Sequence, residues 1–286
     1  MLMRRTERSK RTILWLCVCG LISGMSIGCP VSLCAAEALT GKLVITGSST
    51  MAPLVAEMGK RFESRHPAVR IDVQTGGSSR GIADIRFGLA DIGMVSRSLH
   101  VHERDLYETP IAYDGVTIIL HQTNPVHSLT NDQIVAIYTG AIRNWRAVGG
   151  KDAPITVLTK AEGRGTLELF LRYFGLKSRE IRAHVVIGDN EQGVKTVAGN
   201  PHAIGYVSIG TAQYDAERGV AVKLLPIQGI APTMENVRRG VFPLMRPLML
   251  VTNGVPEGLP RRFIDFARSS EVTDLVLNQY FVPLSE

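Results

Sequence analysis

Three short stretches set glycines and hydroxyl side chains where a helix is about to begin: Gly47-Ser48-Ser49-Thr50, Gly76-Gly77-Ser78-Ser79 and Gly163-Arg164-Gly165-Thr166. Helical spacing follows each of them. Met51, Leu54, Val55, Met58 and Phe62 follow the first, Ile82, Ile85 and Leu89 the second, and Leu167, Phe170, Leu171 and Phe174 the third. A helix start leaves backbone N–H groups without partners and carries partial positive charge, so the chemistry on offer is anion binding. For a single junction, capping of the helix by Ser49 or Thr50 explains the residues equally well. Three glycine-softened starts point to one anion held by several N-termini.

The elements around these stretches must bring them together. Lys42–Thr46 and Arg70–Gln74 read as buried strands that each run into a junction, with a helix over about 51–64 between them. Strand–helix–strand alternation predicts an α/β fold with a parallel sheet, and ligands then sit at the carboxyl ends of the strands. A short strand, Ala90 to Val95, ends in Ser96 and the cation Arg97. Val116–Leu120 and the run Val241–Val251 are two long apolar segments that enter new regions. Ile155–Leu158 is a strand feeding Lys160 and the third junction. Thr130 with Gln133 spells a capping box, and Gly140 is a helix stop. No internal sequence repeat is visible.

Composition narrows the class. The chain has 286 residues, 45% apolar and 20% charged, which is globular usage and enough length for two lobes. Its formal charge of +6 comes mostly from the N-terminus, because residues 1–36 hold Arg4, Arg5, Arg8, Lys10 and Arg11 against Glu7. The other 250 residues carry 27 basic against 25 acidic side chains, too mild a balance to argue for nucleic acid. The basic start, the 16-residue apolar stretch Ile13–Gly28 and small residues at Cys34-Ala35-Ala36 form an export signal ending at residue 36. A lipid anchor at Cys29 is the rival reading of the same segment. All four cysteines (Cys17, Cys19, Cys29 and Cys34) lie in this leader, so the mature chain expects no disulfide, thiol nucleophile or cysteine metal site. Of the seven histidines only His100 and His102 are close, and no metal or cofactor is expected.

The ordered set of motifs resembles the phosphate-binding subunit of bacterial phosphate ABC transporters. It runs through Gly47-Ser48-Ser49-Thr50, Gly76 to Ile82, Asp91-Ile92-Gly93 with Ser96-Arg97, and Asp114-Gly115. Asn144-Trp145 with Gly149-Gly150, Ala203-Ile204-Gly205-Tyr206, Pro243-Leu244, Arg246-Pro247-Leu248 and Phe281-Val282-Pro283 complete it. The resemblance covers nearly the whole mature chain. It implies a two-lobe periplasmic-binding-protein fold of the second type, each lobe a mainly parallel sheet flanked by helices. The first lobe would be 37–115 plus 246–286 and the second 116–245, with hinge crossings at 116–120 and 248–251. Carried over by position, the anion ligands would be Ser49, Thr50 and the Met51 amide, Ser78 or Ser79, Arg97, Lys160, Arg164, Gly165 and Thr166.

Two departures bear on specificity. Lys160 stands where the family has Arg, losing the planar fork, and Arg164 stands where it has Ser and can restore that fork. Asp114 and Glu162 are the candidates to accept a ligand proton. The implied function is capture of inorganic phosphate by a monomeric periplasmic protein that serves permease subunits in the inner membrane, with Arg97→Glu abolishing binding and leaving the fold intact. The alternatives are another oxyanion such as sulfate or arsenate, a phosphate sensor, or an exported phosphoester-processing enzyme. The absence of a G-x-x-x-x-G-K-[ST] loop and of a mature cysteine argues against the enzyme.

Overall fold

Two large apolar cores, each accompanied by a smaller buried cluster, are joined by a pair of strands. The computed structural model describes residues 39–284; the predicted export signal and Cys29 lie outside the described residues. In chain order the elements are β1 (Gly41–Gly47), α1 (Ala52–Arg65), β2 (Val69–Thr75), α2 (Ser78–Arg86), β3 (Ile92–Val95) and β4 (Tyr107–His121). Then follow α3 (Asn131–Tyr138), β5 (Thr156–Lys160), α4 (Gly165–Phe174), β6 (Val185–Ile187), α5 (Asn190–Ala198), β7 (Ala203–Ser208) and α6 (Ile209–Glu217). The chain ends with β8 (Val222–Leu224), α7 (Met234–Arg238), β9 (Met245–Thr252), α8 (Gly258–Ala267), α9 (Thr273–Asn278) and β10 (Val282–Pro283).

β1 lies between β2 and β3 and pairs with both in parallel. α1 turns Leu54, Val55, Met58 and Phe62 inward onto Leu43 and Ile45 of β1, and Leu248, Leu250, Phe263 and Phe281 close the same core. That packing is what makes a 3.6-period apolar stripe after a buried strand into a β-α-β unit. The second core repeats the arrangement. β5 lies between β6 and β7, parallel to both, and Ile118, Ile134, Trp145, Phe170, Tyr206 and Phe242 are buried together around it. Phe170 and Tyr206 stack with ring centroids 4.0 Å apart, and the Trp145 indole donates to the His202 carbonyl at 2.9 Å, so Trp145 and Tyr206 are packing residues.

The expected mainly parallel sheets are parallel only at the two ends of the sheet. At its centre β3, β9, β4 and β7 run antiparallel, giving the order β2-β1-β3-β9-β4-β7-β5-β6. The reason is β4, a single strand of 15 residues. Its first part pairs with β9 as far as Gly115↔Met245, and its second part pairs with β7 from Val116↔Ser208. The chain therefore passes between the cores at 114–116 and again at 244–246, where the Val116 amide donates to the Leu244 carbonyl at 2.9 Å. Both points precede the expected crossings; Leu248 and Leu250 are already in the first core. The capping box at α3 is formed, with Thr130 Oγ1 accepting from the Gln133 amide and Gln133 Oε1 from the Thr130 amide.

Candidate functional site

All three glycine-softened junctions begin helices that no side chain caps. Met51, Gly77 and Arg164 hold the cap positions of α1, α2 and α4, and none accepts a side-chain hydrogen bond from its helix. Capping thus does not account for Ser49, Thr50, Ser78, Ser79 or Thr166. β1 and β5, the central strands of the two parallel units, end at Gly47 and Lys160, so the α1 and α4 starts face each other as two jaws. The Gly76 and Gly77 amides fold back onto the Gly47 carbonyl at 2.9 and 2.8 Å, which brings the α2 start to the same place.

A small cavity lies where they meet, lined by Ser48, Ser49, Thr50, Gly77, Ser96, Lys160, Arg164, Gly165 and Thr166. No carboxylate is in that lining. Ser48 Oγ donates to Ser96 Oγ at 2.8 Å, and the Ser96 amide donates to Ser78 Oγ at 3.1 Å, so a chain of hydroxyls runs along the first jaw. Lys160 is 4% exposed. Burial pulls its ammonium down to about 7, helped by Arg246 and Arg164 and opposed by Asp189. A cation this costly to hold is relieved by an anion beside it.

Sequence reasoning did not pick Ser48, Ser96, Asn190 or Arg246, and Arg246 is the one that touches most of the site. Its guanidinium is 1% exposed and donates to Thr166 Oγ1 at 2.9 Å, to Thr50 Oγ1 at 3.3 Å and to Ser96 O at 3.2 Å, so it touches both jaws. Asp114, its cross-strand partner, accepts from Arg246 Nη2 at 2.7 Å and Nε at 3.1 Å and from Ser208 Oγ at 2.9 Å. Burial pushes the Asp114 carboxyl up, with Arg246 and Ser208 pulling it back. Asp114 orients Arg246 and does not line the cavity. Nor does Glu162, which accepts from Ser178 Oγ. Asn190, at the start of α5, spans the jaws from the other side and donates to Thr50 Oγ1 at 3.1 Å.

Ser49, Thr50, Lys160, Arg164, Gly165 and Thr166 are thus brought together, and Ser78 sits behind Ser96. Three expected ligands fall elsewhere. The Met51 amide donates to the Ser48 carbonyl at 3.2 Å and its side chain is core. Ser79 Oγ donates to Glu168 at 2.7 Å. Arg97 is buried in a fork with Glu103, at 2.7 and 2.9 Å, and also pairs with Glu168. Arg97→Glu would set a third carboxylate against those two in a dry place, so loss of stability replaces the expectation of an intact fold. His100 and His102 stack at 5.5 Å, and His100 contacts Glu168.

Gly77 shows how closely the jaws meet. Its φ is +99°, and a Cβ there would lie 2.5 Å from the Gly163 carbonyl oxygen and 3.0 Å from Arg164 Cδ. Gly77→Ala is expected to hold the jaws apart and to weaken anion affinity about 5- to 150-fold, the range of a 1–3 kcal/mol coupling. Titration calorimetry checks it, and wild-type affinity would show that the jaws need not approach this closely.

Comparison with known proteins identifies the family of this fold. The family model described as PBP superfamily domain matches residues 35–271. The phosphate-binding protein PstS of Bacillus subtilis is 29% identical over 255 residues, covering 87% of this chain and 83% of that protein. A phosphate ABC transporter substrate-binding protein from Clostridium perfringens, crystallised with bound phosphate, is 34% identical with a TM-score of 0.79, over 86% of this chain and all of its own. An ABC-type phosphate transport receptor from Vibrio cholerae is 30% identical with a TM-score of 0.71, over 84% of this chain and 99% of its own. The chain belongs to the PBP superfamily, among the substrate-binding proteins of phosphate ABC transporters.

Proposed function

We propose that this protein captures inorganic phosphate between its two jaws and delivers it to the permease subunits of an ABC transporter. One observation carries the reading. Uncapped helix starts from both cores converge on a cavity lined by Lys160 and Arg164 and by no carboxylate, with Arg246 bonded to Thr50 and Thr166 of that lining. Ser49, Thr50, Gly165 and Thr166 supply hydroxyls and amides, Lys160 and Arg164 supply charge, and Arg246 ties the ligand side of one jaw to the other. Ser48 and Ser96 join the set, while Met51, Ser79 and Arg97 leave it. Closure removes water, which strengthens each charge-assisted hydrogen bond to the anion.

The proposed lobes are 37–115 with 246–286 and 116–245, which fit the strand crossings at 114–116 and 244–246. The leader 1–36, read as an export signal with Cys29 as the alternative lipid site, suits a monomeric protein working outside the cytoplasmic membrane. Binding, not turnover, is the proposed activity.

A second reading is another tetrahedral oxyanion, sulfate or arsenate; the lack of a carboxylate in the lining favours sulfate in particular, which has no proton to donate, whereas the arsenate dianion carries one as the phosphate dianion does. Titration calorimetry of the purified protein with phosphate, arsenate and sulfate separates the two. Phosphate is expected to bind one to one and most tightly. No heat from phosphate at micromolar protein would reject the proposal, and tighter sulfate than phosphate binding would favour the second reading.

A further inference from the structure

Arg97 and Ser79, displaced from the anion cavity, meet at a second interlobe contact. Glu168 lies in the first turn of α4, one short step along the helix from Thr166. Among the described residues, every polar partner of its side chain belongs to the other lobe. Ser79 Oγ donates to its Oε1 at 2.7 Å, His100 Nε2 lies 2.8 Å from its Oε2, and Arg97 Nε pairs with the same oxygen. Arg97 is fixed from its own side. Its two terminal nitrogens hold Glu103 at 2.7 and 2.9 Å, its Nη1 also donates to the Ser98 carbonyl at 3.1 Å, and the His100 amide donates to Glu103 at 2.8 Å. The guanidinium edge left over is the one that faces Glu168. Backbone contact supports the same approach, because the Ser79 amide donates to the Gly163 carbonyl at 3.1 Å.

We propose that Glu168 is a positioning residue for anion capture, a latch that holds α4 against Ser79, Arg97 and His100 and keeps the cleft shut without touching the ligand. The proposal rests on the phosphate-capture reading only for the choice of ligand. Three features make the contact a latch and not a permanent clamp. The first is that one rigid helix carries Gly165 and Thr166 at the anion and Glu168 at the contact, so seating the anion also seats the latch. The second is charge. If the jaws part, Arg97 keeps Glu103 as its partner and no buried ion is left bare, so opening does not incur the cost of stranding one. The third is access. Glu168 keeps 18% of its side chain exposed, on the wall of an open groove shared with Ser79, His100, Glu103 and Gly163, where water can take over its hydrogen bonds.

The test uses the whole protein with Glu168→Ala and Glu168→Gln. Stopped-flow kinetics with inorganic phosphate give association and release separately, and spin labels at exposed Val255 and Val186, one in each lobe, report the interlobe distance. Glu168→Ala is expected to speed phosphate release about 5- to 150-fold while association stays within about threefold. Its distance distribution should shift toward open forms with and without phosphate. Glu168→Gln, which retains hydrogen bonding but not charge, should fall between. A residue that merely stabilised the fold would lower the melting temperature without splitting release from association. Wild-type release together with a wild-type distance distribution in Glu168→Ala would overturn the proposal. Should the wild-type protein bind no phosphate, the capture reading falls and the distance distribution alone decides the latch.

Discussion

Asp114→Asn is expected to cost about 3–5 kcal/mol of folding stability in phosphate-free buffer, read by chemical denaturation. Asp114 and Arg246 are each 1% exposed at the side chain and face each other across β4 and β9 at the point where the chain passes between lobes. The arginine fork grips the carboxylate with two nitrogens, and Ser208 Oγ satisfies a further lone pair. Removing the negative charge strands a guanidinium in the protein interior, where isolated charge is costly. The same substitution leaves the cavity more cationic. Saturating phosphate should therefore restore part of the loss by binding only the folded state, beyond the mass-action gain seen for the wild-type protein. A change below about 1 kcal/mol would mean that water reaches Arg246 and that the crossing is not the dry junction described above.

Lys160 carries the second large effect. Lys160→Met is expected to weaken phosphate binding about 30- to 5,000-fold, the span of 2–5 kcal/mol for truncating one member of a buried charge pair. Its proton gives a sharper signature. In the anion-free protein its ammonium titrates at about 7 against an ordinary 10.5. Between those values the unfolded chain binds the proton and the folded one does not, so this lysine makes stability rise with pH across that window. An anion at the site raises its pKa again, so binding above pH 7 takes up a proton, and affinity for a dianion falls as pH rises further. Calorimetry at pH 8 in buffers of different ionisation heat should register uptake approaching one proton per phosphate. Lys160→Arg, whose guanidinium stays charged, should remove that uptake while keeping most of the affinity. Equal proton uptake in Lys160→Arg would move the titrating group elsewhere.

Much of this arrangement is legible in the sequence, for a physical reason. A buried strand, a glycine that permits a tight turn, hydroxyls and then an apolar helical stripe are all local signals, and β1–α1 and β5–α4 carry them in full. What the sequence hides is long-range pairing. Arg246 reads as one more residue of an apolar run until β9 is registered against β4, which places Asp114 opposite it 132 positions away. Arg97 misleads in the opposite way. A cation just after a strand looks like a cleft residue, and its true partner Glu103, only six positions on, becomes visible as such once the turn Val101–Glu103 curls back. The duplication is likewise a matter of topology. β1 between β2 and β3 is matched by β5 between β6 and β7, with no repeat in the residues themselves.

The most direct measurement of where the anion sits is a crystal structure of the protein grown in phosphate. The expected density is one tetrahedral ion in the cavity between Thr50 and Thr166, within hydrogen-bond distance of both hydroxyls and of the Lys160 ammonium, with Arg246 still joining the jaws and Arg97 still held by Glu103. An anion bound instead at Arg97, or a closed cleft that excludes phosphate at millimolar concentration, would contradict the two-jaw site.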